Sequence, residues 1–225
     1  MTGPVSTVAQ YMNQPKLPAL IQRYLRHYYS TLNSSDSESA ASSTALVLPL
    51  FDQKLSLHSS VFCTFFAPSD HCGIHGLRRE HIRASGSWRG GSSRQDMALV
   101  DMGDGGNKAL PMSGYAIARV LCLFSFPYAG KDFPVALVWW YTLCDDTGHR
   151  DEATGMWLVE RKYRDDEPHL VVVPVASLLR AAHLMPFFGR EEVSRNPNPS
   201  ETLDIYARFY VNRYCYVLAG TFGST

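Results

Sequence analysis

The sequence predicts an α+β fold, mostly antiparallel β and barrel-like, with an N-terminal helix and a C-terminal helix. Three observations predict it. Seven strings from Ala45 onward are short, rich in β-branched and aromatic residues, and bounded by Gly, Pro, Asp or Ser: ALVLPLF, SVFCTFFAP, MALVDM, ARVLCLFSFPY, FPVALVWWYTL, TGMWLVE and LVVVPV. The connections between them are mostly short, and no long helical pattern intervenes to build βαβ units. An antiparallel sheet curling into a barrel, or a compact sandwich, follows. Helical spacing is confined to the two ends and one short internal stretch.

Taken in order, Pro18 suits a first helical turn, and Leu20, Ile21, Tyr24, Leu25 and Tyr28 recur at helical spacing. This predicts an amphipathic helix over about residues 18–29, closing an N-terminal helical segment, 1–29. Serine-rich STLNSSDSESAASST, 30–44, reads as a flexible linker. Residues 45–225 then form the β-rich domain. Within it, FPYAGKDFP predicts a hairpin around Ala129, Gly130, Lys131 and Asp132. ASLLRAAHL, Ala176 to Leu184, predicts a short helix ended before Pro186. SETLDIYARFYVNRYCYVL predicts the last helix, with Ser200 as N-cap and an apolar face of Leu203, Ile205, Tyr206, Phe209 and Tyr210.

Composition narrows the function classes. The 225 residues are 45% hydrophobic, ample for a core, and Lys+Arg and Asp+Glu balance at 21 each. Any nucleic-acid affinity must therefore come from a local patch. Cysteines 63, 72, 122, 144 and 215 are odd in number and form no CxxC pair, which fits a reducing compartment better than a disulfide framework. Neither a secretory signal nor an apolar run of membrane-spanning length is expected, so the reading is a soluble intracellular protein with no membrane partner.

GIHGLRREHIRASGSWRGGSSRQD, Gly73 to Asp96, poses the main functional question. Arg78, Arg79, Arg83, Arg89 and Arg94 stand there with one acid, Glu80, before the closing Asp96. Planar guanidinium forks meet phosphate oxygens bidentately, and Trp88 is placed to stack on a base. The plainer alternative pairs these arginines with the protein's own acids, above all the eight in Asp145 to Glu167. His71, Cys72, His75 and His81 cluster in the same region, but Gly73 and Gly76 interrupt any chelating helix. No metal and no cofactor are expected.

Trp139, Trp140 and Tyr141, with Trp157, make the main aromatic concentration. Alternation sends Trp139 and Tyr141 one way and Trp140 the other. Core packing is the plain reading, and an aromatic pocket completed by Asp145 or Asp146 is the functional one. Catalytic strings are missing: there is no GxSxG, Walker loop, HExxH or GxGxxG, and Asp101 with Asp104 reads as a turn. No catalytic residue is assigned.

Several strings resemble one fungal family. MNQPKLPALIQRYL, FFAPSDHCGIHGLRREHIRASGSWRGG, FPVALVWWYTLCDD, TGMWLVE, LLRAAHLMPFFG and LDIYARFYVNRYCY, in that order, are similar to the C-terminal region of Plavaka-type, CACTA-like transposases of basidiomycetes. The resemblance implies a transposable-element origin, a nuclear location, and a DDE nuclease core upstream of the matched region. No residue here inherits a catalytic role. The last string departs from the family, where a His-containing segment follows FYVNR/K. The strand pattern also resembles, at the level of fold alone, chromatin-reading barrels of the bromo-adjacent-homology type. Together these imply a non-catalytic accessory module docking on protein or chromatin. The alternative is direct DNA binding through Arg78–Arg94.

Overall fold

The computed structural model describes residues 2–35, 51–66, 77–86, 92–103, 111–144, 150–189 and 201–212. In chain order the elements are β1 (Thr2–Pro4), α1 (Val5–Tyr11), α2 (Leu17–Ser35), β2 (Lys54–His58), β3 (Ser60–Phe66), β4 (Leu77–Ser85), β5 (Arg94–Gln95), β6 (Met97–Asp101) and β7 (Tyr115–Tyr128). They continue with β8 (Lys131–Leu143), β9 (Trp157–Arg161), β10 (Tyr163–Arg164), β11 (Glu167–Pro168), β12 (Leu170–Pro174), β13 (Leu178–Ala182), β14 (Leu184–Pro186), α3 (Thr202–Ile205) and β15 (Arg208–Val211). The architecture is mostly antiparallel β with a curled, barrel-like sheet, as the apolar runs predicted.

The long hairpin β7–β8 organises everything else. Its turn is Ala129-Gly130, flanked by the pair Tyr128↔Lys131. Both turn residues have positive φ, +48° at Ala129 and +75° at Gly130, the geometry that matches strand twist in a two-residue hairpin. No atom lies within 4 Å of a Cβ added at Gly130. Gly130→Ala is therefore expected to cost about 1 kcal/mol through backbone conformation alone, read as a lower urea midpoint at unchanged slope.

A bulge between Val120 and Cys122 divides β7 into two working halves. The C-terminal half pairs with β2, and the facing part of β8 pairs with β12. There the helices pack: Val8, Leu17, Ile21 and Leu25 join Leu55, Phe124, Phe126, Phe133, Val135 and Leu137 in one core. The N-terminal half of β7 pairs with β6, and the end of β8 with β9. β9 continues to β15 and β15 to β14. β14 follows β13 after His183 alone, and β13 pairs with β6. The pairing thus returns to its start, with the Asn212 amide donating to the His183 carbonyl at 3.0 Å across the junction.

Cross-strand partners share a face, so the register identifies the side chains inside this ring. Leu99↔Ile117, Val159↔Phe209 and Trp157↔Val211 form its core with Met97 and Tyr141. The opposite face carries Ala98, Ala118, Val120, Val138 and Trp140 and is covered in part by the small sheet β3–β4–β5 through Cys63, Ile82 and Ala84.

Three expectations are corrected. Helix α2 does not stop at residue 29 but runs to Ser35, through the start of the expected linker. The Ser30 and Thr31 hydroxyls donate back to the His27 carbonyl at 2.8 and 2.9 Å, which keeps polar residues helical instead of breaking the turn. Most of ASLLRAAHL is strand, β13 running into β14, because pairing with β6 outweighs the helix propensity of Leu, Arg and Ala. The C-terminal helix is four residues long, and Phe209 and Val211 then alternate with exposed Arg208 and half-buried Tyr210 as a strand. Within Gly73–Asp96, Leu77–Ser85 is strand β4. The expected strand ALVLPLF lies outside the described residues except for Phe51, which is buried in the helix-side core.

Candidate functional site

Strand β4 sets the geometry of the arginines. Ile82 and Ala84 face the core, so Arg79, His81 and Arg83 face outward by alternation. Arg78 and Arg79, adjacent in sequence, point to opposite faces. Cross-strand partners put Phe62 beside His81, Thr64 beside Arg79 and Arg94 beside Ser85 on the outer face. Phe62 is 47% exposed. The Arg79 guanidinium lies 3.7 Å from its ring centroid, and the His81 ring centroid 3.9 Å away. A cation held flat on an aromatic ring keeps its N–H edge available and has already lost much of its rotamer freedom.

The expected neutralisation takes a different form. Asp96, not an acid of Asp145–Glu167, accepts from Arg94 Nε at 2.8 Å and lies 4.0 Å from Arg83 Nη1. Asp96 Oδ2 also accepts the Arg83 amide at 3.0 Å. Glu80, on the inner face, accepts from Arg180 at 3.0 Å, and Arg180 lies over Phe65 at 4.0 Å. The outer face carries Arg79, Arg83 and Arg94 together with Asp96, and among the described residues Arg79 makes no ion pair. Trp88 and Arg89 lie outside the described residues.

The four aromatics of the expected pocket do not converge. Trp140 is 8% exposed in the core shared with the small sheet, whereas Tyr141 and Trp157, 5% and 7% exposed, lie inside the ring. Trp139 packs edge-on against Tyr163 at 5.5 Å and donates its indole N–H to the Lys162 carbonyl at 2.9 Å. Strand alternation turns Trp140 away from Trp139 and Tyr141, and Trp139 is engaged by Tyr163 and the Lys162 carbonyl, so the four rings do not line one pocket. Asp145 and Asp146, and His71, Cys72, His75 and Asp104, lie outside the described residues. Among the described residues no group of three His, Cys, Asp or Glu side chains is placed to hold a metal. Asp101 accepts from the Gly103 amide at 2.8 Å as a turn. The Cys122 thiol is pushed up to about 12 by burial, and Cys144 to about 11, foremost by burial.

A second polar constellation was not anticipated. Arg119, 8% exposed, stands on β7 inside the ring and donates from Nη1 and Nη2 to the two carboxylate oxygens of Asp204, at 2.5 and 3.2 Å. Arg161 reaches the same short helix, donating to the carbonyls of Leu203 and Asp204 at 3.4 and 3.1 Å. Tyr141 is the cross-strand partner of Arg161. Burial pushes the Tyr141 hydroxyl up to about 12, against the opposing pull of Arg119 and Arg161. The signal was present in YAIARVLCLF, a lone cation within a run otherwise buried on both faces.

Compared with protein-family models, curated proteins and solved structures, the chain matches none.

Proposed function

We propose that this chain is a non-catalytic binding module that grips a DNA backbone with the outer face of β3–β4–β5. The observation that supports the reading most is Arg79, lying over half-exposed Phe62 on a face that also carries Arg83 and Arg94. The shared Asp96 holds Arg83 and Arg94 in place beside it. The strings similar to transposase C-terminal regions fit such a setting, in a nuclear, DNA-bound assembly.

The test is fluorescence anisotropy of a labelled duplex across salt. Neutralising about three phosphates predicts a slope of about −2.7 in log K against log salt, so roughly a 40-fold loss between 50 and 200 mM. Arg79→Ala should lower the slope by about 1, and Phe62→Ala should weaken binding by unfixing that guanidinium. Arg78→Ala, on the opposite face, should change little. Equal effects of Arg78→Ala and Arg79→Ala, or salt-independent binding, would defeat the reading.

Docking on protein or chromatin is the second reading, and a different feature favours it. A groove of about 490 Å³ runs between the later turns of α2 and the open edge at β12, lined largely by apolar groups of Tyr28, Leu32, Met102, Trp140, Val171 and Val173. Met102 and Leu32 are 55% and 44% exposed there. Binding through this groove would be insensitive to salt and to Arg79→Ala.

A further inference from the structure

We propose that the mouth of the barrel is a binding site for a tetrahedral oxyanion, and that the chain fills it with its own Asp204. The ion pair is lopsided: the Arg119 side chain is 9% exposed and that of Asp204 51%. The cation belongs to the wall, on the longest strand of the sheet. The anion is brought from outside, on a four-residue helix with no side-chain cap.

Donors at this mouth outnumber the acceptors that Asp204 brings. Arg119 Nε and the Tyr141 hydroxyl are buried with no partner among the described residues. Arg161 adds a second guanidinium, which lies over the Trp139 ring and donates to main-chain carbonyls of α3. Two fixed positive charges therefore face one carboxylate. Buried donors left unused cost free energy, and a carboxylate has two oxygens with which to meet them. A phosphate-like group has four oxygens and up to two negative charges. It matches two guanidiniums and a phenol better than Asp204 does, and guanidinium forks suit it.

Asp204 and an entering oxyanion must compete, since both need the Nη edge of Arg119. Inorganic phosphate is the probe, titrated against the full chain at ionic strength held constant with sodium chloride. Binding is followed by calorimetry and by tryptophan emission, because Trp139 lies 5.8 Å from the Arg161 guanidinium. Asp204→Asn is expected to bind phosphate at about millimolar or tighter, at least about tenfold tighter than the unaltered chain. Adding Arg161→Gln should remove that binding. Phosphoserine should bind like phosphate if the oxyanion arrives on another chain, and more weakly if the site takes the free ion. Acetate should bind neither variant. Should Asp204→Asn fold only when phosphate is present, the proposal stands. A folded Asp204→Asn chain that ignores phosphate, binds acetate equally, or keeps its phosphate affinity without Arg161 would overturn it. So would a variant unfolded in both conditions alongside an unaltered chain that shows no phosphate response.

Discussion

Phe209→Ala is expected to lose about 3–5 kcal/mol of stability, enough to leave many molecules unfolded at room temperature. Phe209 is fully buried and lies opposite Val159, with its ring centroid 6.1 Å from that of Tyr141. It is also the middle of β15, the strand that joins β9 to β14 and so completes the ring. Truncation removes an aromatic from a core of nine buried residues and loosens the one element linking both neighbours. Urea unfolding followed by far-UV circular dichroism measures the loss. Phe209→Leu should keep most of the volume and cost about 1 kcal/mol. A Phe209→Ala midpoint within error of the unaltered chain would mean the ring is not a packed unit.

The second large effect concerns the N-terminal region. A chain beginning at residue 51 is expected to lose cooperative folding altogether. Val5, Val8, Leu17, Leu20, Ile21 and Leu25 are buried against the β2–β7–β8 surface. At about 1.5–3 kcal/mol each, their burial contributes on the order of 10 kcal/mol before chain entropy is counted, comparable with the whole net stability of a domain. Their loss also uncovers Phe126, which stacks on Phe124 at 6.2 Å and on Phe133 at 5.4 Å. Broad, non-cooperative urea curves and binding of a hydrophobic dye would meet the expectation. A sharp transition at the original midpoint would show the helices to be an appendage. Ile21→Ala in the full chain, at about 2–5 kcal/mol, gives the graded version.

These expectations also mark where the sequence was legible. β6, β7, β8 and β12 could be read because their residues bury on both faces, leaving continuous apolar runs. β4 could not, since Arg79 and Arg83 occupy the outer face, Arg78 and Glu80 make the inner face polar at one end, and only Ile82 and Ala84 mark it as apolar. β13 was hidden by helix-favouring residues whose state is decided by a partner strand some eighty positions earlier. The C-terminal stretch offered two periodicities at once. Leu203, Tyr206 and Tyr210 fit a helix, Phe209 and Val211 a strand, and pairing with β9 and β14 selects the second. For the basic face, residue types were readable but sidedness was not, because Arg78 and Arg79 separate only once β4 is known to be extended. The Arg119–Asp204 pair was least legible. Arg119 and Asp204 are 85 positions apart, and nothing local connects them.

The splice of β13 into β14 has a kinetic consequence. Tyr128 and Lys131 pair across a two-residue turn, whereas Met97 and Ala182 pair across 85 positions. Loop-closure entropy rises with that separation, so local contacts form first. The topology therefore implies an order: the central hairpin zips early, and the ring shuts late, when the segment around His183 bridges its two edges. Until then Arg119 stays hydrated. Its guanidinium leaves water only as β15 and the neighbouring α3 arrive, so the charge and its counter-charge are withdrawn together rather than one stranded ahead of the other.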